Sequence, residues 1–270
     1  MQGDCQRLAG FKAMKLSVII PSLDGEHRFA MPARIPNGLE VELVVVKGVA
    51  PVCEARNQGL AKASGDYIAW VDADDDVSED WLTEISSALQ SEPDIVSFNA
   101  KVEWLDRRKK NYIIGGAAYP ADVMSENAAG QLWNKVIRRT LFEGLRFKNA
   151  VHEDYRLLCE LLPRAKNIKH INKTLYVYRR RPDGLSQYAN NGEEIKSLNE
   201  LIAICGNLTE DWQRKEMSKG VALRVADFCR HAKSTPEMRR FLRTILPLIL
   251  FDRQISVRIK IKVLLAALGM

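Results

Sequence analysis

Four carboxylates within five residues, Asp72-Ala73-Asp74-Asp75-Asp76, stand directly after the apolar run Tyr67 to Val71 (YIAWV). Carboxylates this close repel one another, and on charge alone a solvated turn explains them as well as a binding site does. Their position adds information. A buried strand that ends in Asp-x-Asp offers hard oxygen ligands where a divalent cation would relieve the repulsion and bridge to a diphosphate. A calcium loop of EF-hand type beginning at Asp72 would need Gly at its sixth position and Glu at its twelfth, and those positions hold Val77 and Thr83. That chemistry is excluded. An Asp nucleophile at Asp72, as in an aspartyl-phosphate-forming phosphohydrolase, remains an alternative. Such enzymes usually place the nucleophile on the first strand with a small hydroxyl residue after it, whereas here two strand-like runs come first and Asp75-Asp76 follow.

The elements that position this cluster are legible from periodicity. Lys15 to Pro21 (KLSVIIP) and Val41 to Val46 (VELVVV) are short β-branched runs, and both read as buried strands. Residues between Ala50 and Ala63 allow a short helix that Ser64-Gly65-Asp66 breaks, and Tyr67 to Val71 is a third strand. Strands alternating with helices predict an α/β fold with a mostly parallel central sheet of Rossmann-like kind, whose ligands sit beyond the carboxyl ends of the strands. After the acidic cluster, Ser78 is placed to cap a helix carrying Trp81, Ile85 and Leu89. A strand over Asp94 to Asn99 and a hairpin over residues 100–120 come next. They are followed by a helix around Ala128 to Phe142, another from Glu153 to Leu162, and two short strands, Asn167 to Ile171 and Leu175 to Arg179. From about Glu193 the period is helical throughout. The expected organisation is an N-terminal extension over 1–14, with Met14 a candidate translation start, a catalytic domain over 15–190, and a helical region over 191–270.

Composition narrows the classes. The chain has 270 residues, 46% hydrophobic and 27% charged, which excludes collagen-like and disordered chains. Five scattered cysteines without a CxxC pair suggest neither a disulfide framework nor a zinc site. The net charge of +6 is concentrated at one end: from Pro236 to Met270 there are seven basic residues against two acidic ones. No basic stretch is interleaved with aromatics, so nucleic acid is not the expected partner.

From Lys15 to Ser186 the ordered segments resemble the family 2 glycosyltransferases of GT-A fold. The resemblance rests on SVIIPS, VELVVVKG, Ala55-Arg56-Asn57-Gln58-Gly59, Gly65-Asp66-Tyr67-Ile68 and Val71-Asp72-Ala73-Asp74-Asp75. Trp133-Asn134-Lys135-Val136-Ile137-Arg138-Arg139, His152-Glu153-Asp154 and Ile171 to Arg179 follow in the same order. The resemblance implies transfer of a sugar, with inversion, from a nucleotide-sugar donor, a UDP-sugar by default, to a glycan or lipid-linked acceptor. It implies Mn²⁺ or Mg²⁺ held by Asp74 with Asp72, the Asp-x-Asp motif, and a catalytic base at Asp154 with Glu153 in reserve. Donor contacts are implied at Pro21, Ser22, Lys47, Arg56, Asp72 and Ala73, and at Arg179 and Arg181 after the last strand. Trp133 and Lys135 match an acceptor-side helix, although Trp133 reads equally well as core. The family's acidic turn after the second strand is replaced here by Val46-Lys47-Gly48-Val49, which suits phosphate better than a uracil imide. A non-catalytic module that binds a nucleotide sugar or glycan is a further alternative.

In the tail, Pro236 to Leu250 and Ile255 to Leu268 read as helices with basic residues between the apolar ones. A basic amphipathic helix suits an anionic membrane surface, and packing on the core is the competing expectation. The expected location is cytoplasmic, peripheral on the inner face of the cell membrane, in cell-surface polysaccharide synthesis.

Overall fold

The computed structural model describes residues 13–32, 34–105, 110–115, 131–180, 191–253 and 255–270. The three β-branched runs form β1 (Met14–Ser22), β2 (Leu39–Lys47) and β3 (Tyr67–Trp70), with α1 (Val52–Lys62) between the last two. β1 lies parallel to β2 on one side and to β3 on the other. The chain continues through β4 (Asp76–Val77), α2 (Trp81–Leu89), β5 (Ile95–Trp104) and β6 (Tyr112–Ile114). Then come β7 (Lys135–Arg138), α3 (Glu153–Leu161) and β8 (Ile168–Arg180). Among the described residues the strands run in the order β2-β1-β3-β7-β5-β8-β4, with β6 paired to β5.

The α/β class expected from the sequence holds, but the sheet is mixed rather than mostly parallel. β7 runs antiparallel to both β3 and β5, and β4 and β6 are antiparallel additions to β8 and β5. This corrects the helix expected around Ala128 to Phe142, as far as those residues are described. Val136 and Ile137 are both fully buried but belong to the two different cores, one on each side of the sheet, as a strand requires. The two short strands near the end of the sheet are one strand, β8, whose pairing with β5 shifts register around Asn99. Ser78 does not cap α2 with its hydroxyl; its carbonyl accepts from Trp81 N at 3.0 Å instead.

Alternation along β1 and β3 builds the two cores. Leu16, Val18, Ile20, Tyr67 and Ala69 pack with α2 on one side, and Ile19, Ile68 and Trp70 pack on the other with α1 and α3. α1 sits hard against β1: a Cβ on Gly59 would fall inside the Ile19 side chain, so only glycine permits the approach. The C-terminal helices α4 (Asn191–Asn207), α5 (Asp211–Phe228), α6 (Pro236–Phe251) and α7 (Val257–Leu268) share the second of these cores. Met238, Leu242, Ile249 and Val263 are each fully buried there, so the inner faces of the tail helices pack on the body of the protein. Among the described residues no helix is long and apolar enough to cross a membrane.

Candidate functional site

The carboxyl ends of β1, β2 and β3 lie side by side, and the segments leaving them carry most of the candidate residues. After β1, the Ser22 hydroxyl donates to Glu26 O at 2.7 Å and accepts from Gly25 N at 2.9 Å. Asp24 accepts from Glu26 N, and that bond, with the Ser22 hydroxyl, holds its carboxyl below the usual range. Lys47, at the end of β2, folds beneath this turn: a Cβ on Gly25 would lie 2.8 Å from Lys47 Cδ. The loop is tied to the acidic cluster by Arg28 N, which donates to Ala73 O at 2.9 Å. Pro21, Ser22, Lys47 and Ala73 therefore gather around the same turn at one end of the sheet.

The four aspartates are not equivalent. Asp75 N donates to Asp72 O at 3.0 Å and closes a turn that puts the Asp75 side chain inside the protein. There it accepts from the Tyr176 hydroxyl and from Arg179 N, each at 2.8 Å. Burial first, and then the charge of Asp72, push its pKa up to about 8, and the side chain serves as an internal hydrogen-bond acceptor that closes the turn. The Tyr176 hydroxyl also accepts from Asp72 N at 3.1 Å, so one phenol fixes both ends of the turn. Nothing in the sequence had singled out Tyr176. Asp76 pairs with Arg28 at 3.0 Å and with Arg179 at 2.6 Å. Asp72 and Asp74 are left half-buried at the edge. The Asp72 carboxyl is raised, by burial in the first place; Arg56 opposes the rise, and Asp74 and Asp154 add to it.

Arg56 organises the centre. It is 6% exposed, and its guanidinium reaches Asp72 Oδ1 at 3.3 Å and pairs with Glu153 from a position 97 residues earlier in the chain. Burial alone would lower its pKa, but Asp72, Glu153 and Asp154 together hold it above the ordinary arginine value. The arginine is thus a strut between the end of β3 and the start of α3. Among the described residues its Nε is buried without a partner.

α3 begins abruptly because His152 adopts a left-handed conformation, φ 58° and ψ 46°, uncommon for a residue with a side chain. Glu153 and Asp154 follow in the first turn, where the helix dipole favours carboxylates. Glu153 is committed to Arg56, and its carboxyl is raised by burial more than that arginine lowers it. Asp154 Oδ1 accepts from Tyr155 N at 2.7 Å, and among the described residues the side chain has no ion-pair partner. Of the two, Asp154 is the carboxylate available to a substrate.

The remaining candidates are placed less directly. Lys135 is 2% exposed, with its Nζ donating to Gln131 O at 2.8 Å and Asn134 Oδ1 at 2.7 Å. Burial pushes its pKa down to about 7, against the opposing charge of Asp154. Trp133 is 5% exposed and stacks on Tyr176 and Tyr178 with centroids 4.8 and 5.4 Å away. Neither residue lies on a helix, and Trp133 offers no open ring face to an acceptor sugar; its core reading is the one its position fits. Arg179 spends its side chain on Asp76 and on Glu103 at 3.3 Å, which turns it away from the role of diphosphate donor expected for it. Arg181 lies outside the described residues. Among the described residues no three metal-ligating side chains converge into a ready-made cage.

The family described as Glycosyl transferase family 2 matches over residues 51–145. The Glycosyltransferase GlyA of Streptococcus pneumoniae is 29% identical over 155 residues, 51% of this chain and 22% of that protein. The Cholesterol galactosyltransferase of Borreliella burgdorferi is 26% identical over 152 residues, 49% of this chain and 42% of that protein. The chain therefore spans less than half the length of these relatives. Among solved structures, S. aureus TarS 1-349 in complex with UDP-GlcNAc superposes with a TM-score of 0.60 at 15% identity, over 91% of this chain and 83% of that one. The chain has the GT-A fold, and over residues 51–145 it is similar to the family 2 glycosyltransferases, in keeping with the resemblance in its sequence.

Proposed function

We propose that this protein transfers a sugar, with inversion, from a nucleoside-diphosphate donor to a hydroxyl of a glycan or lipid-linked acceptor. One observation carries the reading: Arg56 ties the β3 carboxylate Asp72 to Glu153, and so brings Asp154 to the same edge of the sheet. In a single displacement the acceptor oxygen bonds to the anomeric carbon as the bond to the diphosphate breaks. The proton of that hydroxyl goes to Asp154, on the face opposite the leaving group. Asp72, with Pro21, Ser22 and Ala73, borders the nucleotide, and Lys47 places a cation near its phosphates.

The residues fit a divalent cation. Burial, and then the neighbouring charges of Asp74 and Asp154, make the Asp72 carboxylate costly at a half-buried edge, and added positive charge would relieve it. Mn²⁺ or Mg²⁺ held by Asp74 with Asp72, and completed by diphosphate oxygens, would supply charge neutralisation for the leaving group. A UDP-sugar is the default donor, supported by the TarS structures with UDP-GlcNAc and with UDP. Synthesis of a cell-surface polysaccharide or glycolipid, by a protein peripheral to the inner face of the membrane, fits the basic tail.

The test is UDP release from a panel of UDP-sugars with Mn²⁺, with and without acceptors. Turnover in the wild type that is lost in Asp154→Asn supports the reading, and equal turnover in the two overturns the base. A phosphohydrolase would instead leave a trappable aspartyl-phosphate on Asp72. A binding module would retain donor without any turnover.

A further inference from the structure

The α6–α7 hairpin is apolar on two faces, and only one of them is covered. Val263, Ala266 and Ala267 of α7 are buried in the core shared with α5 and α6. Val257, Ile261, Leu265 and Leu268 are exposed at 70, 52, 40 and 57%. Their spacing of four, four and three residues puts them in one stripe along the outward side of a helix about 18 Å long. At 100° per residue, Arg258 falls on one flank of that stripe and Lys260 on the other. Phe251, 86% exposed, stands at the turn before α7, and Met270, 78% exposed, just after it.

The charges of the hairpin divide in the same way. Those near the body are neutralised: Lys262 donates to Asp227 at 2.7 Å, and Asp252 accepts from Lys219 at 2.6 Å. Arg253, Arg258 and Lys260 have no ion-pair partner among the described residues. At the far end of the stripe Arg239, Arg240 and Arg243 line an open cleft of about 490 Å³ with Pro236 and Thr244. This cleft adjoins the end of α7, because Arg243 Nε donates to Ala267 O at 3.0 Å and a Cβ on Gly269 would sit 3.3 Å from Arg239 Cδ. Glu237 is the acidic residue beside it; hydrogen bonds from its own backbone N–H and from the Thr235 hydroxyl lower its carboxyl first, and Arg240 and Arg239 add to that.

We infer that this hairpin docks on an anionic lipid surface, with the Val257-Ile261-Leu265-Leu268 stripe entering the interface and the arginine cleft receiving a phosphate headgroup. An in-plane helix needs this combination, apolar residues flanked by unpaired cations. A second copy of the chain would bring the same uncompensated cations face to face, so charge complementarity favours lipid over self-association. The inference deepens the peripheral location proposed above by naming the surface, and it is measured without donor or turnover, so its failure leaves the catalytic reading standing.

The experiment is co-sedimentation of the full chain with phosphatidylglycerol vesicles and with phosphatidylcholine vesicles at low and moderate salt. Wild type and Asp154→Asn should bind the anionic vesicles equally, ignore the neutral ones, and detach as salt rises. Ile261→Ser/Leu265→Ser should lower partition at least tenfold with an unchanged melting temperature, since both side chains are solvent-facing. Arg240→Gln/Arg258→Gln should lower it about tenfold or more, each cation near an anionic surface being worth roughly fivefold. Binding unaffected by both double variants would overturn the inference. So would a wild-type dimer in sedimentation equilibrium that Ile261→Ser/Leu265→Ser makes monomeric, because the stripe would then be a subunit contact.

Discussion

The carboxyl edge of the sheet and the outer face of the C-terminal hairpin treat charge in opposite ways. At the edge, carboxylates outnumber cations, and Arg56 is buried between two of its partners. On the hairpin, cations outnumber carboxylates, and Arg240, Arg243, Arg253 and Arg258 are exposed to solvent. Charges removed from water depend steeply on their partners, whereas exposed charges are screened and individually weak. The contrast implies that single changes at the edge have large effects, and that the hairpin works only as a sum of small ones.

The most severe test is Asp154→Asn, expected to lower the turnover number about 10³-fold, within the usual range for loss of a general base, with donor affinity unchanged. Steady-state UDP release and calorimetric donor titration separate the two quantities. Arg56→Met comes next: with Asp72 and Glu153 left unpaired, the protein should lose on the order of 3 kcal/mol, read from urea unfolding. A loss below about 1 kcal/mol would break the comparison, because Arg56 would then behave as a surface charge. Asp74→Asn should weaken Mn²⁺-assisted UDP binding about tenfold or more in calorimetry while leaving metal-free binding alone.

Lys135 gives a test in pH. Its folded pKa of about 7 lies below the ordinary 10.5, so between those values the unfolded chain binds the extra proton. Stability therefore rises with pH across that window, and this contribution is lost as pH falls toward 7. Lys135→Met should flatten that rise in a series of thermal melts. The smallest effect is predicted for Lys262→Met, which breaks a pair with the half-exposed Asp227 and should change stability by less than about 1 kcal/mol.

Much of the frame was readable in advance. The β-branched runs ending at Pro21-Ser22, at Lys47 and at Val71 became adjacent strands, and the acidic cluster fell at the edge where ligands bind in such sheets. The pair Glu153-Asp154 opened a helix as its composition indicated. What escaped was set by distant partners. Lys135 to Arg138 has no strong strand signature, and it became β7 because the gap between β3 and β5 needed a strand there. Trp133 was ambiguous until Tyr176 and Tyr178 covered it. Arg179 looked like a phosphate ligand until Asp76 and Glu103 took its guanidinium.

The sequence by itself determined the first three strands, the helix that Glu153-Asp154 opens and the dense acidic turn after the third strand, because hydrophobic period and local charge are properties of neighbouring residues. Only the tertiary structure decided that Asp75 is buried with its pKa pushed up, that Glu153 is held by Arg56 while Asp154 is left available, and that one face of α7 is exposed. Desolvation and ion pairing depend on what the fold brings within a few ångströms, and here the decisive partners lie as far as 104 residues apart in the chain.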